Sequence, residues 1–197
     1  MRPDADEDYI DIATPGLRMR FLALIWGFAE ANLFFLAPSI LISYVALRHG
    51  VFQGLFIGVF VTGAATMGGL VLYMAAGYQY AEIQAVLLQV PGVTADGIRA
   101  ARADLKSIDA LAVLAAAYNS FTPYKVFALE AKAAGVPAFT FVLASFFHYM
   151  SRAFLAALVA GAAGMVLKFF LPRRVLILIW AGVWVVAYGL YFGRFYL

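Results

Sequence analysis

The chain has 197 residues, of which 65% are hydrophobic and only 13% charged, with a formal net charge of +3 and no cysteine. A water-soluble domain carries about 25% charged residues, so a chain this apolar needs lipid as part of its solvent, and its length bounds it to one domain. The missing cysteines exclude a disulfide framework and thiolate chemistry, two histidines without cysteine argue against structural zinc, and the small, dispersed positive charge lacks the basic, aromatic-studded surface of a nucleic-acid binder.

The first residues, MRPDADEDYIDIATPG, are acidic and polar and lack the basic start and apolar stretch of a signal peptide. Residues 1–20 read as a solvated cytoplasmic tail. Five apolar stretches follow: A over about Phe21–Leu47, B over Val51–Gly77, D over Leu111–Ala134, E over Val136–Leu167 and F over Val175–Phe192. A membrane-spanning helix needs roughly 20 apolar residues. B and F carry no Asp, Glu, Lys or Arg and are the clearest spans. E is long enough but holds His148 and Arg152 near its middle.

A and D differ in kind. A contains Glu30, Asn32 and Pro38, and D contains Asn119, Pro123, Lys125, Glu130 and Lys132. Proline removes an amide donor and breaks a helix, and broken backbone at membrane depth survives only under protein or beside water. Pro38 and Pro123 are therefore expected at breaks, in kinked spans or in re-entrant hairpins. Between B and D, residues 79–109 form the one long polar internal segment. Turn signals at Pro91-Gly92 and Asp96-Gly97 suggest a short amphipathic helix on each side of Pro91, lying at the membrane surface. The GxxxG pair Gly54/Gly58 allows close helix packing, within the monomer in preference to a homo-oligomer interface.

Arg18 and Arg20 precede A, and Lys168, Arg173 and Arg174 separate E from F. The positive-inside rule puts both clusters in the cytoplasm and the C-terminus outside. Five full spans would place the 79–109 connector inside; re-entrant A and D would place it outside.

Charged groups at membrane depth are costly and face an interior or a polar cavity, paired with one another. Glu30, Lys125 and Arg152 are the principal candidates, with Glu30 as a proton or headgroup site and the cations as anion contacts. Ser145, His148 and Arg152 fall on one face of E. A core histidine explains His148 as well as a site does, and Glu130 and Lys132 read as interfacial side chains that snorkel to water. The aromatic runs and the Tyr-rich C-terminus read as packing and interfacial belts. No GxSxG, HExxH, P-loop or GxGxxG element is present, so no motif argues for an enzyme or calls for a cofactor or metal.

Glu30 followed by Phe34–Ser39 (FFLAPS) resembles the first motif of the DedA family, whose domain is also called the VTT or SNARE-associated domain. Gly68-Gly69, Tyr73 and Gly77 resemble its following helix, and Asn119–Arg152 resembles its second half, most like the YqaA-type branch. The resemblance spans about residues 21–167, leaving 168–197 as a C-terminal transmembrane helix. It implies an all-α integral membrane protein with two re-entrant helical hairpins in an inverted repeat plus about three transmembrane helices. The implied activity is lipid movement between leaflets of the bacterial cytoplasmic membrane, as phospholipid scrambling or proton-coupled return of polyprenyl phosphate. Membrane lipids, recognised by their phosphate headgroups, would be the partners, with Glu30, Lys125, Arg152, His148 and Asn119 as transport residues. The family's second membrane acid would fall near Ser39 or Ile40 and is absent; Ser120 and Lys125 stand where arginines usually flank the second proline. A non-transporting scaffold supporting envelope integrity is the alternative.

Overall fold

A computed structural model of the chain describes residues 15–107 and 122–196. These form eight helices and no strand: α1 Leu17–Asn32, α2 Ser39–His49, α3 Val51–Ala76, α4 Tyr80–Leu87, α5 Ala95–Ser107, α6 Tyr124–Ala133, α7 Ala138–Leu167 and α8 Arg173–Tyr196. Three of them are long and apolar enough to cross a membrane: α3, α7 and α8 over Arg173–Gly193. They coincide with stretches B, E and F. Asn119 and stretch D up to Phe121 lie outside the described residues.

Stretch A is not one helix. It begins earlier than its apolar run, at Leu17, and the Arg20 guanidinium donates to the Pro15 carbonyl at 3.1 Å and lies 5.1 Å from the centre of the Phe56 ring. The chain then leaves helical geometry after Asn32, and α2 starts with Pro38 as its N-cap. The break is held by Trp26, whose indole donates to the Leu36 carbonyl at 2.9 Å while its ring meets Phe34 edge-on. Pro123 likewise caps α6 from an extended conformation, where a missing N–H costs nothing.

Close contacts fix the directions. Arg20 lies beside Phe56, Gly27 faces Val61, and Gly68 faces Phe28, so α1 runs the same way as α3. Ala46 abuts Gly54 and Ile42 abuts Gly58, so α2 runs back against α3. The chain thus reverses at the break. On α7, Phe141 stacks on Tyr73, Ala153 meets Gly58, Ala157 meets Gly54, and Gly161 meets Val51, so α7 is antiparallel to α3 along its whole length. Gly54 and Gly58 are therefore filled within the chain, by α2 and α7. Helix α6 sets Tyr124 against Gly69 and Lys132 against Gly77, so it runs with α3 before the chain turns into α7. The two turns into the long helices correspond: Gly50 before α3 has φ 91° and Gly135 before α7 has φ 79°, backbone that glycine alone enters at little cost.

α4 and α5 flank Pro91, and their apolar faces are covered by protein. Leu87, Val90, Val93, Ile98, Ala101 and Leu105 are buried in the cluster that contains α6. Packing on α6 covers these residues, while Val86 and Leu88 at the end of α4 stay exposed.

The Gly27 contact is unforgiving. A Cβ there would sit 2.5 Å from the Val61 carbonyl oxygen, which is backbone and cannot swing aside. Gly27→Val is expected to cost about 1–3 kcal/mol through overpacking, read as a lower unfolding midpoint in detergent, whereas Gly63→Ala, with nothing within 4 Å, should leave the midpoint in place.

Candidate functional site

The two interrupted segments meet beside the middle of α7. Lys125, one residue into α6, is 2% exposed, and its ammonium donates to the Phe34 carbonyl at 3.0 Å, in the break that follows α1. This places a cation on the carbonyl end of a helix, where the backbone dipole favours it. Glu30, in the last turn of α1, is 8% exposed and accepts a hydrogen bond from the Tyr149 hydroxyl of α7 at 2.8 Å. Tyr149 packs edge-on against Tyr124, whose hydroxyl donates to Ser145 Oγ at 2.6 Å; Ser145 in turn donates to the Phe141 carbonyl.

These groups border a cavity of about 280 Å³. Glu30, Lys125, His148 and Arg152 line it from the core, with Ala37, Thr122 and Pro123 marking the ends of the two breaks. The starts of α2 and α6 both abut it, and helix N-termini carry partial positive charge. Two cations, two helix starts and one acid give a site suited to an anion, at the lower end of the size range of small-molecule sites.

The sequence brings Glu30, Lys125, His148 and Arg152 forward as candidates, and all four border one cavity. The expected pairing of Glu30 with a cation is corrected. Among the described residues the ion pairs are Arg99–Asp96 and Arg102–Glu130. Glu30 takes a tyrosine hydroxyl instead, and Lys125 takes a carbonyl, because the helix break exposes an acceptor nearer than the carboxylate. His148 is buried and its ring stacks on Tyr124 at 5.4 Å.

Sequence reasoning misses the outer wall. Trp184, Tyr188 and Tyr191 of α8 line one side of the cavity. Their signal is spacing: Trp180, Trp184 and Tyr188 recur every four residues and so share one helix face. It also misplaces Glu130, which is fully buried rather than snorkelling. Arg102 of α5 grips it through Nε to Oε2 at 2.8 Å and Nη2 to Oε1 at 3.2 Å, and the Tyr80 hydroxyl donates to the same carboxylate. Burial first, and the Glu130 carboxylate second, push the Tyr80 hydroxyl up to about 12, so it stays a donor at physiological pH.

No family model matches the chain, and no curated protein or solved structure does either.

Proposed function

We propose that the chain is a DedA-like multi-pass protein of a cell membrane that moves lipids, phospholipid or polyprenyl phosphate, between leaflets. In this reading α1–α2 and the segment ending in α6 are re-entrant hairpins, entering from opposite faces as an inverted repeat. The corresponding turns at Gly50 and Gly135 and the antiparallel α3 and α7 support that relation. The observation that carries the function is the shared cavity: buried Lys125 and half-buried Arg152 face it together with Glu30, at the level where both breaks end. A lipid phosphate would slide past Lys125 and Arg152 while its tails stay in the bilayer, and Glu30 would titrate or offset these cations.

The test is leaflet exchange by purified protein in liposomes, with a fluorescent phospholipid and with a polyprenyl phosphate. Exchange of at least one above the protein-free rate is expected; protein-free rates for both would sink the transport reading. They would favour a second reading, a non-transporting scaffold. That reading draws on the internal satisfaction of the polar groups, Glu30 by Tyr149 and Lys125 by Phe34.

Orientation follows from charge. Arg18, Arg20, Arg48, Lys168, Arg173 and Arg174 all belong to helix ends or turns at the α3 N-terminal end, which the positive-inside rule assigns to the cytoplasm. The connector with α4 and α5 then faces outside. Ala95 is exposed, so Ala95→Cys in this cysteine-free chain should react with an impermeant maleimide in intact cells. Reaction only after cell disruption would reverse the orientation.

A further inference from the structure

The wall formed by α8 is held more loosely than the wall formed by α7. α3 and α7 lock through small-residue contacts along their whole length. By contrast, only 6% of the apolar window of α8 is buried, against 28% for α7. Its attachment runs through a short row of polar and ring contacts to α2 and the first break, with Tyr191 seated against Gly92 of the connector. Ser43 Oγ accepts both the Trp180 indole N–H at 2.9 Å and the Trp184 indole N–H at 3.1 Å, while donating to the Ile40 carbonyl. The Ala37 amide donates to the Tyr188 hydroxyl at 2.6 Å, and Phe192 meets Phe35 edge-on. Within a bilayer, apolar surface gains nothing by leaving lipid for protein, so association rests on close packing and on hydrogen bonds, each modest in strength. Among the described residues α8 has little of the first, with Tyr191 seated on Gly92 and Trp180 against Tyr44, and the three hydrogen bonds named above supply the second.

We infer that α8 is a lateral gate: its aromatic face swings away from Ser43 and Ala37 to open the cavity directly to the bilayer. Ser43 is the catch, since one hydroxyl holds two indoles one turn apart. Opening uncovers the side of the cavity bounded by Trp184 and Tyr188, and a headgroup can then enter while its tails remain in lipid. The gate rests on reading the cavity as a headgroup site, but it makes a claim about access that needs no net transport to be measured.

A cysteine at Thr122, which borders the cavity, reports access. In liposomes containing a phospholipid with a maleimide on its headgroup, Thr122→Cys should label slowly, with a small water-soluble maleimide confirming that the thiol is reactive. Adding Ser43→Ala should speed labelling by the lipid reagent roughly three- to tenfold, the Boltzmann factor for losing one to two interhelical hydrogen bonds of membrane strength. Trp180→Phe with Trp184→Phe keeps the rings, removes the donors and should do the same, which guards against misfolding of one variant. Equal lipid-reagent rates in all three folded chains would overturn the gate. Gated labelling in a protein without leaflet exchange would keep the gate and sink the transport reading; exchange with ungated labelling would do the reverse.

Discussion

Arg102→Gln should lower the stability of the fold by about 2–4 kcal/mol, the cost of stranding a buried carboxylate, reduced from the fully buried case because Arg102 is 44% exposed. Glu130 has no route to water: it is fully buried on α6, and its oxygens are shared between Arg102 and Tyr80. The double change Arg102→Gln with Glu130→Gln removes the charge as well as its partner and should recover most of the loss, a coupling expected only of groups in contact. Unfolding midpoints of the four proteins in one detergent decide it. Additive losses would mean that the pair does not hold α5 to α6.

The second large effect falls on activity. Glu30→Gln should leave the unfolding midpoint unchanged, because the amide is nearly isosteric and its oxygen can still accept from the Tyr149 hydroxyl. Leaflet exchange should nevertheless fall to the protein-free rate, since the one acid bordering the cavity among the described residues is gone. The companion change Arg152→Gln separates the alternatives. If Glu30 and Arg152 serve only to balance each other's charge across the cavity, each single change lowers stability and the double change restores it; if they serve the path, both singles melt normally and both lose exchange. Wild-type exchange by Glu30→Gln would remove the acid from the path altogether.

The long helices were readable because length and apolarity leave few alternatives. Stretch B at Val51–Gly77 and helix α3 at Val51–Ala76 differ by one residue. The prolines mark the starts of α2 and α6, where the lost donor has a physical effect that needs no partner. What the sequence could not supply was pairing across distance. Glu130 looked interfacial because Arg102 lies 28 positions earlier, on a helix whose placement depends on the turn at Pro91-Gly92. Glu30 seemed to need a cation, yet its neighbour is Tyr149, 119 positions away, brought close only by the antiparallel packing of α7 on α3. The α8 aromatics looked like a belt, since a stripe of rings reads alike whether it faces headgroups or a cavity.

The convergence of two helix starts and two cations beside the middle of α7 has an electrical consequence. Across a membrane holding 100 mV, each elementary charge that crosses the full field changes energy by about 2.3 kcal/mol. A charge halted at mid-depth takes roughly half of that. On the proposed reading, which sets the cavity at mid-depth, an anion occupying it would report the voltage through its own occupancy, whereas a headgroup of zero net charge would not. A polyprenyl phosphate and a zwitterionic phospholipid would then be told apart by an applied potential even if every contact they made were the same.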